Sequence, residues 1–274
     1  MKEPSRNILL VVQYDGTDFA GWQYQTNARA VQNVVHEVLE GIVEHPVTLR
    51  ASSRTDAGVH ARALPVCFTT TSSIPILGIQ RGLNARLPAD VSITESREVP
   101  QRWRPRDASV AKTYRYQLLF GEARRPLLER YSWHARRTTP DVGAMRDAGK
   151  LMLGTHDFSG FRSSRCTSRS TIRQMHRVEL VRDETDPLLS IMITGNAFLQ
   201  NMVRIIAGTL VAVGAGRFPA DRVTEVLESG DRTRAGMTAP PQGLTLWQVH
   251  FDGYPRVGKP GPSPPPLDPL DGGG

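Results

Sequence analysis

Lysine and cysteine are nearly missing from this sequence. Its 34 basic residues include only four lysines, at positions 2, 112, 150 and 259, so the other 30 are arginines. The two cysteines, Cys67 and Cys166, are far apart and form no Cys-x-x-Cys pair. A disulfide framework is therefore unsupported, and a reducing cytoplasm is the expected compartment. No apolar run is long enough to span a bilayer, since Ile8–Val12 is followed closely by Asp15. Lys2 and Arg6 precede no signal-length segment with a small-residue cleavage site, so export is not expected either. The seven histidines lack the close spacing of a zinc site. His60, His134, His156 and His176 would have to converge in space to hold a metal, and we expect neither metal nor cofactor.

What is present is an ordinary globular composition, 39% hydrophobic and 22% charged over 274 residues, enough for a sizeable core. The net charge of +7 favours a polyanionic partner through phosphate contacts and field steering. Arginine richness also follows genome composition, so charge alone does not identify a nucleic acid.

Asn7–Tyr14 reads as a buried strand ended by Asp15-Gly16. In Arg29–Glu44 the period changes. Val31, Val34, Val35, Val38, Leu39 and Ile42 recur every three or four residues and predict one apolar helical stripe. Short strands are predicted at Leu49–Ser53, Ala63–Phe68, Val91–Glu98 and Val110–Phe120, with a helix end or turn at Leu87-Pro88. Helices are predicted over Asp141–Leu153, Phe198–Val213 and Pro219–Glu228. Gln174–Asp183 and Leu188–Thr194 read as a hairpin, and Leu244–Phe251 as a final strand. A strand, a glycine-containing turn, an aromatic and an amphipathic helix occur around Val11–Glu44 and again around Ile191–Val213. The reading is an α/β (α+β) fold of two lobes, 1–126 and 127–254, built on antiparallel strands that share one sheet. The proline- and glycine-rich tail, 255–274, is expected to be disordered.

Three segments combine charge with aromatics or glycine. Ser53-Arg54-Thr55-Asp56-Ala57-Gly58-Val59-His60 sets opposite charges beside a glycine, in a loop between buried strands. Asp56 there is a candidate nucleophile or base, or equally a side chain that satisfies the loop backbone. Trp103–Asp107 leads into Lys112-Thr113-Tyr114-Arg115-Tyr116, whose tyrosines share one strand face and are either core residues or a stacking platform for a base. Arg204 sits in an otherwise apolar helix and calls for an anionic partner.

These segments resemble the bacterial tRNA pseudouridine synthase A family. The similarity runs from Ile8 to Phe251. It rests on Tyr14-Asp15-Gly16-Thr17 with Phe19, Gly21-Trp22-Gln23 and Gln25, and on Arg54–Ala61, its most specific match. Leu83-Asn84 with Leu87-Pro88, Tyr114-Arg115-Tyr116, Gly154 with His156-Asp157-Phe158, Phe198-Leu199 with Met202-Val203-Arg204, and Gly243-Leu244 follow in the expected order. The resemblance implies a pseudouridine-synthase fold: a continuous mixed, mainly antiparallel sheet flanked by helices. It implies Asp56 as catalytic aspartate, Arg204 as its basic partner and Tyr114 as the residue stacking on the target uracil. Arg54 would help hold the flipped nucleotide, and Leu244 would lie beside the base.

The implied substrate is transfer RNA, modified at positions 38, 39 and 40 of the anticodon arm by a two-fold homodimer with no other protein partner. Asp18, Trp22 and Gln23 would touch or guide the RNA, Arg106 stands in the family's arginine position, and Arg162 and Arg165 would meet phosphates. The chain departs from the family pattern at Ser53 (glycine), at Trp103-Arg104-Pro105-Arg106 (Phe-His-Ala-Arg), at Ile205 (asparagine) and at Thr245 (an aromatic). Two other readings are an RNA-binding or RNA-folding paralogue without turnover, and a synthase acting on another structured RNA.

Overall fold

Ile8–Val12, a run of bulky apolar residues with no polar member, forms the middle of a strand almost fully buried along its length, as such runs must. The computed structural model describes residues 5–135 and 140–252; the tail from Pro255 lies outside them. In chain order the elements of the first half are β1 (Arg6–Tyr14), α1 (Val31–Val43), β2 (Arg50–Ala51), β3 (His60–Thr70), α2 (Ile76–Arg86), β4 (Val91–Val99), α3 (Pro105–Ala108) and β5 (Ala111–Leu119). They are followed by α4 (Pro126–Glu129), β6 (Trp133–His134), α5 (Val142–Lys150), β7 (Gly154–Asp157), β8 (Ile172–Arg182), β9 (Leu188–Gly195), α6 (Met202–Gly214), α7 (Arg222–Ser229) and β10 (Leu244–His250).

One sheet carries the strands in the order β4-β1-β3-β10-β5-β9-β8-β7, with β2 added to β3 and β6 to β5. Among the described residues only β3–β10 and β5–β6 pair in parallel, so the sheet is mixed and mainly antiparallel. Its centre is an exchange. β5, made in the first half of the chain, pairs with β9 of the second, while β10, the last strand, lies between β3 and β5.

The helical stripe predicted in the first half becomes α1, which buries Val31, Val35, Leu39 and Val43 at four-residue spacing. The Asp141 carboxylate caps α5 by accepting from the Ala144 N–H at 2.9 Å. Two of the boundaries that differ from the sequence reading have a clear local cause. Helix α6 starts at Met202 rather than Phe198, because Asn201 adopts a left-handed conformation (φ 61°) that cannot extend a helix toward the N-terminus. Helix α2 begins at Ile76 and ends at Arg86, beside the helix end or turn read at Leu87-Pro88, but its start was not read from the sequence. It contains two glycines and buries only Ile79 and Leu83, too sparse a stripe to stand out. Among the described residues, no helix is long and apolar enough to cross a membrane.

Candidate active site

The segment between β2 and β3 turns sharply over the middle of the sheet and presents Asp56. Gly58 makes the turn with φ +74°, and a Cβ there would lie 2.9 Å from the Pro241 ring. The preceding strand and its loop hold this turn in place. Tyr14 Oη and Thr55 Oγ1 lie 2.7 Å apart, the Trp22 N–H donates to the Thr55 carbonyl at 3.2 Å, and the Gly58 N–H donates to the Phe19 carbonyl at 3.1 Å. Gly21 approaches so closely (φ +98°) that a Cβ would meet the Thr55 carbonyl oxygen at 2.5 Å. Trp22 stacks on Tyr14 with ring centroids 6.3 Å apart and is only 2% exposed. Its part in the site is therefore largely that of a brace beneath the Asp56 loop.

Arg204 reaches Asp56 from the first turn of α6, with Nη1 3.8 Å from Asp56 Oδ2. That distance makes a charge pair without a hydrogen bond. The close partners of the guanidinium are neutral: Nε donates to the Ala239 carbonyl at 2.7 Å and Nη1 to Asn201 Oδ1 at 3.0 Å. The carboxylate expected from the sequence is present, but it is not what satisfies most of the arginine's N–H groups. Burial raises the Asp56 carboxyl above the usual aspartate range, and the Arg204 charge only partly opposes it.

Tyr114 comes from β5, and its ring meets Phe198 edge to face at 5.1 Å. Its hydroxyl lies 3.1 Å from Ser53 Oγ. Burial pushes the phenol up to about 12, so it stays protonated and can donate a hydrogen bond at neutral pH. Leu244 opens β10 beside it, opposite Tyr116. The contacts made by Ser53, Phe198, Asn201 and the Ala239 carbonyl escaped the sequence reading, although Phe198 stood in one of its motifs. Ser53 was noticed only as a departure, and Asn201 carries no signal short of its left-handed backbone.

These residues line a cleft of about 1830 Å³, larger than the roughly 300–1,000 Å³ of small-molecule sites. Eight cationic side chains face it against two carboxylates, Asp56 and Asp107, so its field selects anions. On one wall Lys112 stands beside Arg106 and Arg173. Burial, reinforced by those two charges, holds its ammonium down to about 8. Trp22, Gln23, Arg54, Arg106 and Leu244 share the cleft with Asp56, Tyr114 and Arg204. Asp18, Arg162 and Arg165 are not among its lining residues, and Asp18 lies 3.6 Å from Arg130. Among the described residues, no three His, Cys, Asp or Glu side chains gather as a metal would require.

The elevated Asp56 carboxyl has a consequence for pH. A carboxyl held above its unfolded value favours the fold on the acid side and costs stability once pH rises through its folded pKa. If the carboxylate is the reacting form, the chemical step gains rate with pH along an acid limb above the ordinary aspartate range. In Arg204→Gln the charge opposing burial is gone, and the limb should move further up. Single-turnover rates between about pH 4 and 8 read this shift; a limb that stays put or moves down excludes Arg204 as the counter-charge.

Comparison with known proteins is consistent with this geometry. A family model described as tRNA pseudouridine synthase matches residues 10–106 and 148–252. The tRNA pseudouridine synthase A of Geobacter sp. (strain M21) is 43% identical over 247 residues, covering 90% of this chain and 99% of that protein. That of Geobacter sulfurreducens is 44% identical over 246 residues, covering 90% of this chain and all of that protein. The Thermoanaerobacter sp. (strain X514) protein of the same name is 39% identical over 246 residues, again 90% of this chain and all of its own length. A family model that matches most of the chain, with relatives 39–44% identical over 90% of it, means that this chain belongs to the tRNA pseudouridine synthase family.

Proposed function

We propose that this chain isomerises uridine to pseudouridine in the anticodon arm of transfer RNA, at positions 38, 39 and 40, with Asp56 as the catalytic carboxylate. The observation that carries this reading is the Asp56 carboxylate, 3.8 Å from the half-buried Arg204 and close to the buried Tyr114, in a cleft where cations outnumber carboxylates eight to two. The reaction is a balanced rearrangement. The N1–C1′ bond breaks, the uracil turns, a C5–C1′ bond forms, the C5 proton leaves and N1 ends protonated. No electron donor or acceptor is consumed. The work left to the protein is to hold a detached base and to stabilise charge.

Asp56 acts at the sugar or at the base, or removes the 2′-hydrogen; each route needs its ionised form against the target nucleoside. Arg204 holds that form charged. Tyr114, protonated at neutral pH, offers a ring for stacking and a hydroxyl that donates, while Leu244 packs beside the base. A stem uridine reaches this depth only by leaving the helix, an unfavourable step offset by such contacts. Arg54, Arg106 and Lys112 then meet phosphates, with Trp22 and Gln23 at the cleft wall and Asp18, Arg162 and Arg165 further out. We also place the enzyme in the cytoplasm as a homodimer of two-lobed subunits, divided near 126/127.

The test is nucleotide-resolution mapping of pseudouridine after incubation with a pool of unmodified cellular RNAs. New pseudouridine at 38, 39 or 40 of transfer RNAs is the expected result. Product confined to another RNA reassigns the substrate, and RNA binding without product returns the chain to the paralogue reading.

A further inference from the structure

Tyr114, which lines the catalytic cleft, shares one face of β5 with Tyr116, so Arg115 between them points through the opposite face of the sheet. There it meets two irregularities. The β1–β3 register slips between Val12 and Tyr14, so that β3 has Arg62 and Ala63 opposite the single residue Gln13. The β10–β5 register slips between Leu246 and Gln248, leaving Trp247 as the extra residue. Bulges of this kind re-aim side chains. Here they bring Arg62 and Arg115 onto Trp247, with the guanidinium carbons 4.6 Å and 4.1 Å from the indole ring centre.

The cluster opens into a cavity of about 450 Å³, separate from the catalytic cleft and bordered by Gln13, Ser92 and Tyr131. Its charge is unbalanced. The two carboxylates at its rim are already engaged, Asp15 by Arg130 at 2.6 Å and Asp90 by Arg29 at 2.7 Å. Among the described residues, neither Arg62 nor Arg115 pairs with any carboxylate. Arg115 Nε is buried with no acceptor. Burial and the neighbouring Arg62 push the Arg115 guanidinium down to about 10, still charged at neutral pH. Two adjacent cations and a buried unanswered N–H are unfavourable unless something external answers them.

We propose that Arg62, Arg115 and Trp247 form a second, non-catalytic anion site on the far face of the sheet, which binds a phosphate group. Stacking on the indole uses the flat faces of the guanidiniums and leaves their N–H edges free, the geometry that grips phosphate oxygens. A carboxylate brings one charge and two oxygens, a match for one guanidinium. A phosphate brings more of both and answers two. Its sources are the backbone of a bound RNA, which extends the footprint beyond the catalytic cleft, or a free phosphate compound.

The test compares the parent with Arg62→Gln/Arg115→Gln in the full chain. The measurements are tRNA affinity against salt, single-turnover rate at saturating tRNA, thermal midpoint, solution mass, and tryptophan fluorescence during titration with inorganic phosphate. Removal of two unmatched cations should leave the thermal midpoint unchanged or higher without ligand. The fluorescence response to phosphate should disappear in the double variant and in Trp247→Phe. If RNA is the source, tRNA affinity falls about tenfold and the salt slope loses about 1, for the one phosphate contact removed, with the saturated rate unchanged. If a free phosphate compound is the source, the fluorescence response is lost while tRNA affinity stays at the parent value. Arg62→Gln alone, which keeps Arg115 on the indole, replaces the double variant if that does not fold. Two results overturn the proposal: no phosphate response in the parent together with parental tRNA affinity in the variant, or a variant whose only change is loss of dimer mass. The second result would mean that the cations meet a carboxylate of another copy of the chain. None of these outcomes depends on which uridine is modified.

Discussion

Asp56→Asn should fold, bind transfer RNA near the parent affinity and form almost no pseudouridine, with a single-turnover rate lower by on the order of 10³-fold or more. Folding should survive because Arg204 does not rely on this carboxylate. Its hydrogen bonds to the Ala239 carbonyl and to Asn201 remain, and only a 3.8 Å charge contact is lost. The loop should survive as well, being held through Thr55, Gly21 and Gly58 rather than through the Asp56 side chain. Binding should persist because phosphate contacts supply most of the affinity, and seven other cations still line the cleft besides Arg204. Single-turnover product formation, RNA affinity and a thermal melt, taken together, check this. Turnover near the parent rate would remove Asp56 from the chemistry. A collapsed melt would restore the view that the carboxylate is there to satisfy its surroundings.

The second large effect is expected at Tyr114, where two substitutions separate the ring from the hydroxyl. Tyr114→Leu removes the stacking surface and its contact with Phe198, and base–aromatic stacking is worth about 1–3 kcal/mol. Catalytic efficiency should fall roughly 10- to 100-fold. Tyr114→Phe keeps the ring and loses the contact with Ser53 Oγ, at a stability cost of about 1 kcal/mol and with affinity close to the parent's. A Phe variant that binds normally and reacts slowly would show that the hydroxyl acts on the reacting base. If Leu matched the parent in both affinity and rate, Tyr114 would be an ordinary strand residue.

Much of this architecture was legible because its signals are periodic or local. The valine stripe of α1, the uninterrupted β1 and the hairpin of β8 and β9 follow from spacing alone. Glycine beside Asp56 announced a sharp turn, and the Tyr114/Tyr116 alternation put both rings on one face. What stayed hidden depends on long-range contact. No pattern near residue 201 shows that Asn201 takes a left-handed turn and accepts a hydrogen bond from Arg204. No pattern near residue 53 tells that its hydroxyl will find Tyr114, 61 residues away. A bulge at Trp247 exists only relative to the strand it fails to match. The placement of β10 beside β3 is of the same kind, since sequence order says nothing about which strand enters between two others.

That exchange of central strands bears on when the enzyme comes into being. Closing β3 against β10 joins residue 60 to residue 245 across most of the chain, a pairing that carries a long loop's entropy and comes late. On the ribosome, the loop bearing Asp56 is made early and α6 much later, and Leu244 is not present until nearly all the matching sequence has been translated. A growing chain with most of its helices in place therefore has only part of the cleft, without the Leu244 wall. It can attract RNA through its arginines, yet it acquires the geometry for chemistry only when the last strand slots into the middle of the sheet.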